Sequence, residues 1–79
     1  MTVRGRFEAE SQLRMAIAAV LANALRRRGL TQRQLADRLA VSEARVSQML
    51  NAGNLTVRTL VRIATVLGYK VQVRLVDDT

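Results

Sequence analysis

The side chains with the most obvious chemistry in this sequence are guanidinium groups. Twelve arginines and one lysine stand against six acidic residues, which gives a formal net charge of +7 and a pI near 11.7 over 79 residues. A guanidinium group binds phosphate through a planar fork of N–H donors. So large an excess of positive charge on so small a chain predicts a polyanion as its main partner.

Catalytic and metal-binding chemistry has few candidates. The sequence contains no Cys and no His, so it offers neither disulfides nor the usual ligands of zinc, haem and iron–sulfur centres. No glycine-rich loop is present to cradle a phosphate, and the carboxylates lack a His or Cys partner. These carboxylates are Glu8, Glu10, Asp37, Glu43, Asp77 and Asp78. We therefore predict no enzymatic activity, no cofactor and no metal site.

A second group of polar side chains lies between positions 42 and 50. Val46, Met49 and Leu50 recur there at helical spacing and form an apolar face. The residues opposite or beside that face are Glu43, Ala44, Arg45, Ser47 and Gln48. These types suit base edges: a glutamine can bridge N6 and N7 of adenine, a glutamate can accept from N4 of cytosine, and an alanine can touch a thymine methyl. Arg45 can contact either guanine or phosphate, and Glu43 can either read a base or only support its helix N-terminus.

Glycines divide the chain into the segments that would position these side chains. The first helix is expected over about residues 8–28, with Gly29 ending it and arginines in its last turn, where the helix dipole favours cations. Its apolar positions recur at steps of three and four and predict one inward face. They are Leu13, Ile17, Val20, Leu21, Ala24 and Leu25.

Three hydroxyl residues, Thr31, Ser42 and Thr56, are N-cap candidates for the helices that follow. The first of these helices runs through Leu39, and only two residues separate it from the next, so two short helices meet across a tight turn. The last is expected to continue to Leu67 and to end at Gly68. The inward residues are Leu35, Ala36 and Leu39 in the first, Val46, Met49 and Leu50 in the second, and Val57, Leu60, Ile63, Ala64 and Leu67 in the third.

The hydrophobic period changes after Gly68. Apolar and polar residues alternate there, which predicts a half-buried strand over residues 69–76. A lone strand needs a ladder partner, and two remain open: the β-leaning N-terminal segment 2–7, or the same strand of a second copy. The strand is predicted to carry dimerisation through Tyr69, Val71, Val73 and Leu75.

Residues 30–50 resemble the Xre/Cro family of phage-repressor-like regulators. The shared elements are Leu-Thr-Gln at 30–32, Leu-Ala at 35–36 and Val-Ser at 41–42, followed by Val46 with Ser47; the resemblance extends from about residue 21 to residue 68. The family commonly has Gly where Ala40 stands, since the turn there is left-handed, and Ala would cost about 1 kcal/mol or more in that geometry. Leu50 replaces a common Glu, so this helix is expected to end differently.

The resemblance implies roles for individual residues. Family members read bases with the residues that match Glu43, Ala44 and Gln48, and they contact the sugar–phosphate chain with the residue that matches Gln32. Arg58 falls in the first turn of its helix, where the dipole disfavours a cation, so phosphate contact gives it a purpose. The full set expected at the DNA backbone is Arg28, Thr31, Gln32, Arg33, Ser42, Asn51, Asn54, Thr56 and Arg58.

The fold that follows is all-α, a phage-repressor-like domain over residues 1–79 with four or five helices, a helix-turn-helix at 31–51 and a C-terminal strand at 69–76. The longest apolar stretch is too short to span a bilayer, and no signal peptide is evident, so the expected location is cytoplasmic, with the nucleoid.

The function expected from the resemblance is sequence-specific binding to double-stranded DNA by a homodimer at a palindromic operator, as an autoregulating repressor of a phage or mobile-element operon. An antitoxin that binds a toxin protein and represses its own promoter is the alternative. Nonspecific architectural DNA binding is a third reading, which predicts equal affinity for random duplex.

Overall fold

The computed structural model describes residues 6–78, and every regular element in this part of the chain is helical. Four α-helices follow one another: α1 at Arg6–Arg27, α2 at Gln32–Leu39, α3 at Glu43–Met49 and α4 at Val57–Val66. A short 3-10 helix at Ala52–Asn54 joins α3 to α4 and was not expected from the sequence. The four expected helices are confirmed, with ends that differ by no more than about two residues, as helix ends usually do.

The three expected N-caps are present. The hydroxyl oxygen of Thr31 accepts from the amide of Gln34 at 3.1 Å, that of Ser42 from Arg45 at 3.0 Å, and that of Thr56 from Thr59 at 3.1 Å. Each bond satisfies one amide that the helix itself leaves without a partner and contributes about 1 kcal/mol. Short helices such as α2 and α3 gain most from these caps, since they have few internal hydrogen bonds.

The turn between α2 and α3 has the left-handed geometry that the family resemblance implies. Ala40 lies at φ 57° and ψ 43°, and it is the one non-glycine residue with positive φ among the described residues. Its amide donates to the carbonyl of Asp37, and the amide of Val41 donates to that of Ala36. Alanine therefore adopts a conformation that glycine adopts without steric penalty, at a cost of about 1 kcal/mol.

The core lies where the second half of α1 meets the other helices. Leu35, Val46 and Ile63 are fully buried, one each from α2, α3 and α4, and Leu21 and Leu25 of α1 pack against them. The other members of this cluster are Ala36, Leu39, Met49, Leu55 and Leu67. Burial of aliphatic side chains from all four helices fixes α2 and α3 against the scaffold formed by α1 and α4.

The expected inward faces of α1 and α4 are partly wrong. Leu13 and Val20 of α1 are 62% and 65% exposed, and Val57 of α4 is 77% exposed. The 22 residues of α1 extend about 33 Å, whereas the 10 residues of α4 extend about 15 Å. The shorter helix therefore leaves the start of α1, including Leu13, uncovered, whereas Val20 and Val57 simply lie outside the buried cluster. Periodicity alone reveals neither effect.

The predicted C-terminal strand is not observed. Residues 69–78, here called the tail, have no regular secondary structure in the part of the chain that the structure describes. Of the suggested intrachain partner at 2–7, residues 6 and 7 belong to α1 and the others lie outside the described residues. A strand is defined by its ladder, and the described chain supplies no second strand for the tail.

Candidate nucleic-acid interface

Helix α3 presents its polar side chains outward because its apolar side is anchored. Val46 is fully buried and Met49 nearly so, while all five residues predicted to read bases are exposed. Those five are Glu43, Ala44, Arg45, Ser47 and Gln48. A helix that is packed through one face and exposed on the other can enter the major groove of DNA, which is wide enough to admit it.

The start of α2 supplies a second part of this surface. Thr31 and Gln34 form a capping box, in which the Thr31 amide donates to Oε1 of Gln34 at 2.9 Å and the Thr31 hydroxyl accepts from the Gln34 amide. Gln32 and Arg33 remain exposed in the first turn. Outward amides and the dipole of a helix N-terminus favour phosphate. The Thr-x-x-Gln spacing is a sequence signal for a capping box, and this role was not assigned to Gln34 from the sequence.

Two asparagines that we predicted to contact the DNA backbone hold the connection after α3. Oδ1 of Asn51 accepts from the amide of Gly53 at 2.9 Å, and Nδ2 of Asn54 donates to the carbonyl of Gln48 at 3.4 Å. Both residues are exposed. Their amide groups therefore fix the end of α3 as well as facing solvent, a structural role that sequence reasoning did not assign.

Three exposed arginines lie in α3 or in the first turns of α2 and α4. Arg33, Arg45 and Arg58 are exposed, and in the described part of the chain none of them is paired with a carboxylate. Arg58 follows the Thr56 cap at the start of α4, a first turn that holds no acidic residue. Such guanidinium groups keep their full set of donors for phosphate oxygens.

Arg28 differs from these arginines. Its Nε donates to the carbonyl of Leu67 at 2.8 Å, and its guanidinium carbon lies 4.1 Å from the ring centroid of Tyr69. This combination of hydrogen bond and cation–π contact ties the end of α1 to the end of α4 and fixes where the tail begins. No local pattern predicts this contact, because Arg28 and Leu67 are 39 positions apart.

Comparison with known proteins assigns the chain to a family. A family model described as a helix-turn-helix domain matches residues 6–76, which is most of the chain. The chain belongs to this helix-turn-helix family, and it is a DNA-binding regulator of that class. No curated protein and no solved structure gives a significant match. None of the helices within residues 6–78 combines the length and the apolar character needed to cross a bilayer.

Proposed function

We propose that this protein is a sequence-specific double-stranded DNA-binding repressor that acts as a homodimer and controls its own phage or mobile-element operon. The observation that carries the proposal is the outward face of α3, where Glu43, Ala44, Ser47 and Gln48 are exposed beside a buried Val46. In this arrangement Gln48 reads adenine, Glu43 reads cytosine and Ala44 contacts a thymine methyl.

The proposed DNA-backbone contacts come from both sides of α3. Gln32 and Arg33 lie at the start of α2, and Arg58 lies at the start of α4. Phosphate contacts of this kind set the register of a helix in the groove without carrying sequence information. Among residues 6–78 these arginines have no carboxylate partner, which is consistent with that use. The net charge of +7 favours fast association with any duplex.

The homodimer follows from the size of one recognition helix. A single α3 covers only a few base pairs, which is too little for selection of one site in a genome. Two copies related by a two-fold axis would read inverted half-sites whose centres lie about 34 Å apart, one helical turn of DNA. The repressor role itself rests on the resemblance of residues 30–50 to phage-repressor-like regulators.

Selection of bound fragments from a random duplex pool tests this proposal most directly. We expect enrichment of an inverted repeat with a half-site spacing of about one helical turn, and we expect the same repeat upstream of the protein's own gene. If the protein bound all duplexes of the pool equally well, nonspecific architectural binding would be indicated instead. If folded protein retained no duplex at low ionic strength, DNA binding itself would be refuted.

A further inference from the structure

The tail carries apolar side chains that the chain itself does not cover. Val73, Leu75 and Val76 are 88%, 95% and 77% exposed. Of the backbone hydrogen bonds outside the helices in the described region, the last joins the amide of Tyr69 to the carbonyl of Ala64. Within the described residues, the tail beyond Tyr69 thus combines exposed apolar side chains with a backbone that no ladder pairs, which is typical of an unpaired strand edge.

An apolar groove lies beside the tail. It has a volume of about 580 Å³ and is walled by α1, α4 and the tail itself. Leu13, Ala16 and Val20 line it from α1, Leu60 lines it from α4, and Val73 lines it from the tail. The exposed Leu13 and Val20 of α1 therefore share one apolar surface with Val73 of the tail, whereas Leu75 and Val76 lie beyond the groove.

We propose that a second copy of this chain covers this surface, with the two tails paired as an antiparallel ribbon in which Val73 lies opposite Val73 of the other copy. The ribbon's apolar face, which also contains Val71 and Leu75, closes the grooves of both copies. This inference rests on the proposed function in one respect, since it supplies the dimer that reading two half-sites requires.

Alternation, charge and length together favour this register. Pairing centred on Val71 would join only residues 69–73 of each tail, and pairing centred on Leu75 would set Val73 against Asp77. Slipping by one residue would place apolar residues opposite polar ones. Slipping the pairing so that Arg74 lies opposite Arg74, or so that Lys70 lies opposite Arg74, would place like charges face to face. Pairing centred on Val73 sets Val71 against Leu75 and Gln72 against Arg74, so that no two like charges lie directly opposite.

A second copy also suits the groove better than an isolated ribbon would. Two paired strands alone are marginally stable in water and need an apolar surface beneath them. A stable dimer buries about 800 Å² on each partner, more than a ribbon of about seven residues provides. Under two-fold symmetry the tails and the grooves of both copies are covered by the same contact, because the interface is self-complementary.

Disulfide trapping tests the register, since the sequence contains no cysteine. We expect V73C to form a disulfide-linked dimer on mild oxidation, and we expect the matched controls Q72C and R74C to link poorly to themselves. A mixture of Q72C and R74C should give the mixed dimer, because these positions face each other. Self-linking of R74C above that of V73C would overturn the register, and monomeric wild-type protein in sedimentation equilibrium would overturn the ribbon.

A pair of charge insertions tests the groove. Val20 and Met15 are 65% and 64% exposed on α1, but only Val20 lines the groove. We expect V20E to raise the dimer dissociation constant at least tenfold and M15E to leave it within about twofold. Circular dichroism checks that both variants remain helical. Equal effects of the two substitutions, or no effect of V20E, would show that the partner lies elsewhere.

Duplex binding by the same variants separates this inference from the proposed function. Monomeric V20E should still bind a single half-site, because α3 is untouched. Loss of the ribbon with DNA selectivity intact would refute only the dimer described here. A trapped V73C dimer that ignores every duplex would refute only the DNA-binding function.

Discussion

Two regions of the molecule differ in how much of their apolar content the chain covers: the helix-turn-helix segment 31–51, and the surface that α1 forms with the tail. In the first region Leu35 and Val46 are fully buried under short helices with capped N-termini. In the second region Leu13, Val20 and Leu75 lie largely exposed. The first region is covered within one chain, whereas the second would be covered only in the proposed dimer.

In the proposed dimer, DNA reading and assembly are therefore tasks of separate parts of the molecule. The recognition helix must hold one geometry, which close packing of its apolar face provides. An interface between copies must instead leave apolar surface accessible in the monomer. Substitutions that compare the two regions should therefore separate folding stability from assembly.

The largest expected effect is on the buried side of this comparison. Leu35→Ala removes a fully buried side chain and should lower the free energy of unfolding by about 2–5 kcal/mol, from lost apolar transfer and the cavity left behind. Leu75→Ala removes the same atoms at a position 95% exposed and should change it by less than about 0.5 kcal/mol in dilute, monomeric protein. Urea denaturation at low protein concentration measures both. Similar losses would mean that the tail is packed within the monomer.

The next effect concerns the outward face of α3. Gln48→Ala should weaken binding to the preferred site by about 1–3 kcal/mol, because a bidentate contact to adenine is lost, and should barely change binding to random duplex. Fluorescence anisotropy with both duplexes measures the difference. Ser47→Ala is the matched control for a smaller contact on the same face. Equal weakening on both duplexes would contradict base reading by Gln48.

The region around α2 and α3 was predictable from the sequence because its signals are local. An N-cap hydroxyl such as that of Ser42 and the helical spacing of Val46 and Met49 act within one or two turns. The exposure of Leu13 and the contact between Arg28 and Tyr69 depend on which elements meet in space. The tail shows the same limit, since its alternation predicts a strand and cannot name the partner on which a strand depends.

The turn between the two helices offers a smaller and opposite effect. Ala40→Gly removes a Cβ from a residue at φ 57°. It should raise the free energy of unfolding by at most about 0.5 kcal/mol, because the greater entropy of glycine in the unfolded chain offsets much of the strain of about 1 kcal/mol. Thermal unfolding measures the gain, and Ala44→Gly, within helix α3, should instead be destabilising. A loss of stability in Ala40→Gly would mean that the left-handed turn carries no strain.

The smallest expected effect distinguishes the arginines of the DNA face from those that are only solvated. Arg58→Ala should weaken binding to every duplex alike and should flatten the slope of log K against log salt by about one unit, as loss of one phosphate contact requires. Arg38→Ala removes the same charge from an exposed position in the last turn of α2. Its slope should stay close to that of the unmodified protein, because long-range charge is screened at about 10 Å in 0.1 M salt. Equal slopes for the two variants would show that net charge, and not a contact from the start of α4, sets the affinity.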